Sequence, residues 1–329
     1  MDEPLEGHAG SAEPSSPDTG SPVGWSLEPA PPGPDASQRM FVSGSWVGLP
    51  ANDWRAWTGF AALAAALALA LVGGLIVDIP ALALGVKISS EHTPPGIELA
   101  DTVVQDVVFV LTVILFAQLG GRTVRSWQLG YRPPAPGWWR AVLAVVITYV
   151  VFFLASAVWA AVLNESTKEE LLKQLGANET TLLLALSALL TTTIAPICEE
   201  TLFRGYIFPA LSKWRGWLPG ALLTGVLFGG VHAGSAPVID LVPLGVLGFM
   251  LCLLYRRTGS LYPCIATHSL NNSIAFGALE GWSVGQTLLL IVGALAAIGA
   301  IGLLFRAFGA ISETPADAAV VTTAYDRLQ

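Results

Sequence analysis

The chain has 329 residues, 53% hydrophobic and 12% charged, with a mean hydropathy of +0.62 and a formal net charge of −8. An ordinary soluble domain carries about 25% charged residues, so this composition excludes one and predicts a polytopic membrane protein. The acid excess lies mainly in tails and loops and gives no reason to expect a nucleic-acid partner.

Met1 to about Ser45 is rich in Pro, Ser, Gly and acid and has no apolar periodicity, so residues 1–50 are expected to form a disordered tail. The stretch lacks the basic start and early apolar core of a signal peptide, so no cleavage is expected. Eight apolar spans follow: Trp57 to Ile79, Thr102 to Gly120, Trp138 to Leu163, Thr180 to Cys198, Leu218 to Ala233, Val238 to Tyr255, Leu261 to Ala278 and Gln286 to Phe308. Most approach the roughly 20 residues that cross a bilayer. The expected fold is therefore an all-α membrane helical bundle of about eight transmembrane helices over residues 55–310, with a short cytoplasmic tail at 311–329. The fifth and seventh spans are short and carry His, which places them inside the bundle. Cys198, Cys252 and Cys264 fall in or beside apolar spans without metal-finger spacing and read as small buried hydrophobes.

Loop charges set the orientation. In every second loop the basic residues collect: Arg122, Arg125, Arg132 and Arg140, then Arg204, Lys213 and Arg215, then Arg256 and Arg257, then Arg306. The other loops hold Lys87, Lys168 and Lys173, diluted by acids. The positive-inside rule then puts both termini in the cytoplasm. Trp54, Trp57, Trp127, Trp138, Trp139, Trp214 and Trp217 lie near span ends and are expected in the interfacial belt.

The fourth span closes on Ile197-Cys198-Glu199-Glu200-Thr201-Leu202-Phe203-Arg204, expected near the cytoplasmic face. Ionisable groups at membrane depth cost roughly 2.5–3.5 kcal/mol on insertion scales and mark a site by default. Adjacent helix residues diverge by about 100°, so Glu199 and Glu200 are expected to serve different surfaces. Glu200 precedes Arg204 by one turn in the favourable acid-first order, whereas Glu199 has no local partner, as suits a general base or acid. The structural alternative is a juxtamembrane charged pair.

Two further spans carry polar groups: Phe228-Gly229-Gly230-Val231-His232, and His268-Ser269-Leu270-Asn271-Asn272. A lone His at a helix end is often a packing residue, and His268 with Asn272 at i, i+4 could be an interhelical hydrogen-bond pair. Asn271 is a weaker candidate for that face. A single shared, partly hydrated cavity would satisfy all of these groups together.

The three motifs, Glu-Glu-x-x-x-Arg, Phe-x-x-x-His and His-x-x-x-Asn, resemble in order and spacing the CPBP family of CAAX-protease and bacteriocin-processing, or Abi, intramembrane proteases, which includes the type II CAAX prenyl endopeptidases. Leu129-Gly130-Tyr131-Arg132-Pro133 looks like the family's loop before the third span, giving a protease-like core at about 122–280. The resemblance implies hydrolysis of a peptide bond in a membrane-associated protein or peptide. Glu199 with His232 would activate a water, His268 with Asn272 would stabilise the oxyanion, and Glu200 with Arg204 would brace them. Glu199, His232 and His268 are also candidate metal ligands, with zinc the candidate cofactor, although there is no HExxH helix and water activation without metal explains the same residues. A non-catalytic membrane scaffold or immunity-type protein, or a proton-coupled transporter, could share this composition. The expected location is the plasma membrane of a bacterium.

Overall fold

The computed structural model describes residues 52, 54–88, 93–119, 123–163, 180–233 and 236–309. The expected tails at 1–50 and 311–329, and the loop charges at Arg122, Lys168 and Lys173, lie outside the described residues. Among these there is no strand beyond one isolated bridge between Ala233 and Ala236, so the fold is all-α. The helices are α1 (Ala56–Ala83), α2 (Pro95–Ala117), α3 (Trp138–Leu163), α4 (Thr181–Arg215), α5 (Trp217–Val231), α6 (Val238–Thr258), α7 (Leu261–Leu279) and α8 (Val284–Ala307). Six of them, α1 to α4, α6 and α8, are long and apolar enough to cross a membrane, and the protein is an integral membrane bundle.

Local sequence explains the boundaries. Proline opens α2 at its first position, where no N–H is needed, and Glu98 sits in the first turn. Ser260 and Ser283 cap α7 and α8 by accepting from Tyr262 N and Gln286 N. Arg256 and Arg257 in the last turn of α6 face its negative end, and Gly259, at φ +63°, stops it.

The largest departure from expectation is α4. It does not end at Cys198 but runs 35 residues to Arg215, so Glu199 and Glu200 stand mid-helix. Two of its turns are wide π-turns, Leu190–Ile194 and Thr201–Ile207, and the Glu-Glu pair lies on the short α-helical piece Ala195–Glu200 between them. Each wide turn is followed two residues later by a proline, Pro196 and Pro209. A proline ring clashes with the carbonyl four residues back and offers no N–H, and widening the preceding turn relieves both. Helices α1, α2, α5 and α6 pack against the second half of α4, and α7 packs mainly on Leu190–Glu200. Leu202, Phe203, Tyr206 and Ile207 belong to a core shared with α1, α2 and Phe228, while Phe208 joins a second core with α6 and α7. By contrast α8, which packs on α7 and on Leu190–Ile194, fully buries only Ala294 and Ile298 and leaves most of its other residues exposed.

A strap between α2 and α3 ties the middle of α4 to the junction of α6 and α7. Arg132 Nε donates to Gly259 O at 2.6 Å, Ser260 Oγ donates to Arg132 O at 2.6 Å, and Leu261 N donates to Gly130 O at 2.9 Å. Thr201 Oγ1 donates to Ile197 O, so the Tyr131 hydroxyl, 2.5 Å away, is the donor to Thr201. Burial raises the pKa of that phenol, which keeps its proton in place. Gly130 has φ +96°, and a Cβ there would collide with the Tyr255 ring.

The tryptophans divide. Trp57, Trp138, Trp139 and Trp214 are exposed, as belt residues should be. Trp54 is not in the belt: it is buried against Tyr206, with centroids 4.8 Å apart. Trp217 is half-buried with Arg256 over its ring at 4.4 Å.

Helices α5 and α6 meet through glycines. A Cβ on Gly225 would stand 2.8 Å from Gly245 O and from Phe249 N, both backbone atoms that cannot move aside. Gly225→Ala is therefore expected to destabilise the bundle by about 1–3 kcal/mol. A thermal melt in detergent measures it, with Gly285→Ala, where a Cβ meets open space, unchanged.

Candidate active site

The site is built on α4 between its two wide turns and closed by α5 and α7. Glu200 is fully buried, and its Oε1 accepts two hydrogen bonds, from Arg204 Nη1 at 2.7 Å and from His268 Nδ1 at 2.8 Å. Arg204, also fully buried, donates through Nη2 to Gly248 O on α6 at 2.8 Å and lies 4.4 Å above the Phe228 ring. One carboxylate thus links α4 to α7 directly and to α6 through the arginine. A carboxylate oxygen can only accept here, so the shared proton is on His268 Nδ1.

That bond turns His268 Nε2 toward Glu199, 3.9 Å from Oε2. His232 caps α5, and its Nδ1 faces Phe228 O at 2.7 Å. A carbonyl also only accepts, so Nδ1 donates and Nε2 meets Glu199 Oε2, again at 3.9 Å. Glu199 Oε2 is buried without a hydrogen-bond partner among the described residues. Two polar atoms 3.9 Å apart are too far for a direct hydrogen bond and leave room for a water at about 2.8 Å from both. Phe228 forms the apolar wall, with its ring 5.0 Å from His232, 5.6 Å from His268 and 5.1 Å from Phe203.

The structure brings together Glu199, Glu200, Arg204, His232 and His268. The expectation that adjacent glutamates serve different surfaces needs correction, because both reach the same imidazole, one at each ring nitrogen. Asn272 lies one turn beyond His268, and its Nδ2 donates to Thr191 O at 3.0 Å. That carbonyl lies in the first π-turn. Asn271 Nδ2 in turn donates to Asn272 Oδ1 at 3.4 Å, which sets the amide's orientation.

The donor types at Glu199, His232 and His268 suit zinc, but their spacing does not. Tetrahedral donors at about 2.0–2.1 Å from zinc lie about 3.4 Å from one another. Here Oε2 is 3.9 Å from each nitrogen, and among the described residues no three His, Cys, Asp or Glu side chains are arranged to hold a metal ion.

Sequence reasoning missed Asp106 on α2. It is 2% exposed, and both its carboxyl oxygens are buried without a hydrogen-bond partner among the described residues. Its signal was present: an aspartate in mid-span, in Val-Val-Gln-Asp-Val-Val, meets the same rule that singled out Glu199.

These features define an all-α integral membrane protein with a buried Glu–His site. Residues 181–274 match the family model described as Type II CAAX prenyl endopeptidase Rce1-like, and all three motifs fall inside that stretch. An Escherichia coli protein named "Uncharacterized 24.3 kDa protein" is 30% identical over 128 residues, 38% of this chain and 56% of that one. The Bacillus subtilis "Putative membrane peptidase YdiL" is 32% identical over 88 residues, 27% of this chain and 35% of that one. The chain thus spans about half the length of these relatives or less. No solved structure matches it.

Removing the arginine would strand the Glu200 charge in the core. Arg204→Met is expected to cost about 3–5 kcal/mol of stability. Glu199→Gln, where no direct hydrogen bond is lost, should change it by less than about 1 kcal/mol. Thermal melts of the two variants in one detergent compare them, and equal losses would contradict the geometry.

Proposed function

We propose that this protein is an intramembrane endopeptidase that hydrolyses a peptide bond of a membrane-associated protein or peptide. The observation that carries the proposal is the unpartnered Glu199 oxygen facing two imidazole nitrogens at 3.9 Å in a buried pocket. The match to the Rce1-like family and the likeness to a protein named as a membrane peptidase support the same class.

A water held between Glu199 and His232 Nε2 attacks the peptide carbonyl. As the new C–O bond forms, the water's proton passes to Glu199, a general-base step worth typically 10²–10⁴ in rate. The oxyanion faces His268, whose Nδ1–H is committed to Glu200 so that Nε2 meets the substrate and, when protonated, donates to it. Asn272 supplies a second donor through the Nδ2 hydrogen not used on Thr191 O. When the C–N bond breaks, Glu199 returns its proton to the leaving nitrogen. Glu200 and Arg204 do not touch the substrate; they hold His268 in the required orientation, as a buried carboxylate does for a catalytic histidine elsewhere. No step needs a metal.

The charge alternation of the loops, carried after α4 by Lys213 and Arg215 and not by the buried Arg204, supports a site opening toward the cytoplasm, with both termini on that side of a bacterial plasma membrane. The family match favours a CAAX-type, prenylated tail as the substrate class, which a lipid-facing bundle could receive from within the bilayer.

Two tests follow. Membranes holding the wild-type protein should yield new peptide termini by mass spectrometry that disappear, by about 10³-fold or more, with Glu199→Gln and with His232→Ala, while Asn272→Ala loses about 10²-fold. Cleavage retained in Glu199→Gln contradicts the mechanism. Exhaustive chelation, followed by metal analysis, should leave cleavage unchanged, and a loss restored by zinc would show that the site closes around an ion.

A further inference from the structure

Tyr131 belongs to the strap, outside the matched stretch 181–274, and no step proposed above uses it. Its hydroxyl donates to Thr201 Oγ1 at 2.5 Å, and Thr201 Oγ1 donates to Ile197 O at 2.6 Å. Ile197 and Thr201 bracket the Glu-Glu pair. The first lies in the α-helical piece Ala195–Glu200, and the second opens the wide turn Thr201–Ile207. Two hydrogen bonds in series thus run from a loop residue to the backbone that carries Glu199 and Glu200.

The wide turn gives this relay its consequence. A π-turn accommodates one residue more than the α-turn it replaces, so closing it would rotate the chain before it by about 100° relative to the chain after it. Leu202, Phe203, Tyr206 and Ile207 are held in the core shared with α1 and α2. The rotation would therefore fall on Glu199 and Glu200 and carry their carboxylates off the histidines. The strap also fixes the other side of the site. Gly130 O accepts from Leu261 N at 2.9 Å, and the Tyr131 ring stands edge-on to Tyr262, centroids 6.1 Å apart, about two turns before His268 on α7. One loop is the common reference for Glu200 and for the imidazole that Glu200 orients.

We infer that Tyr131 is a positioning residue of the hydrolytic site: through Thr201 it keeps the second wide turn of α4 in register and so holds Glu199 and Glu200 turned toward the histidines. This rests on the proposed hydrolytic reading and adds to it a residue that acts only through its neighbours.

Steady-state cleavage by four variants tests the relay. Tyr131→Phe keeps the ring and removes the donor, and its kcat should fall about tenfold with KM unchanged. Thr201→Val removes both hydrogen bonds and should lose at least as much, while the double variant loses no more than Thr201→Val, because the two groups act as one. Thr201→Ser keeps the hydroxyl and should retain most of the wild-type kcat. Wild-type kcat in Tyr131→Phe, a change confined to KM, or losses that multiply in the double variant overturn the inference. Equal losses in Thr201→Ser and Thr201→Val overturn it as well, and that comparison decides should Tyr131→Phe fail to fold. Cleavage that requires Glu199 but ignores Tyr131 sinks only the relay. Cleavage indifferent to Glu199→Gln sinks the hydrolytic reading itself.

Discussion

The site depends on one buried carboxylate oxygen. Glu200 Oε1 receives a guanidinium hydrogen and an imidazole hydrogen at 2.7 and 2.8 Å, and none of its side chain is exposed. Desolvating an anion so completely costs several kcal/mol, and the arrangement holds because Arg204 is desolvated beside it and engages Gly248 O as well. Those bonds fix the relative placement of α4, α6 and α7. They also determine which nitrogen of His268 faces Glu199, so stability and reactivity meet in a single contact.

The geometry around that contact follows from the shape of α4. A regular α-helix would satisfy all its own carbonyls. The wide turn at Leu190–Ile194 instead presents Thr191 O to the amide of Asn272 on α7. The second wide turn follows the Glu-Glu pair and contains Arg204 and Gly205. Gly205 lets the strap approach: a Cβ there would stand 3.1 Å from Leu129 O. π-turns cost helix regularity and recur at functional positions, where they re-aim side chains. Here two prolines set them in place, and the strap residue Tyr131 holds Thr201 of the second.

Much of this was legible in the sequence because the signals were large. Eight apolar runs each fall on one of the eight described helices, most with ends within a few residues, and the charges at Glu199, Glu200, Arg204, His232 and His268 stood out against apolar surroundings. The end of α4 was not legible, because Glu199 to Arg204 reads as the polar boundary of a span. Only packing by neighbouring helices on every side lets charged residues continue in the core. The convergence of both glutamates on His268 also escaped a helical-wheel argument, since an imidazole offers two nitrogens in different directions and can bridge faces that one atom could not. Trp54 was misplaced for a related reason: it is next to a span end in sequence, but Tyr206 offers it a partner in the core. Asp106 shows the opposite case, a signal that was visible in the chain as a lone aspartate in an apolar span and that the structure places in the core.

The orientation of His268 tests this account most directly. Nitrogen NMR of histidine-labelled protein in bilayers, with His268 assigned by its loss in His268→Gln, reads the protonation of each ring nitrogen. The geometry predicts a proton on His268 Nδ1, held in a strong hydrogen bond that Glu200→Ala removes. A bare Nδ1 in the wild-type protein, or one whose signal ignores Glu200, would contradict it.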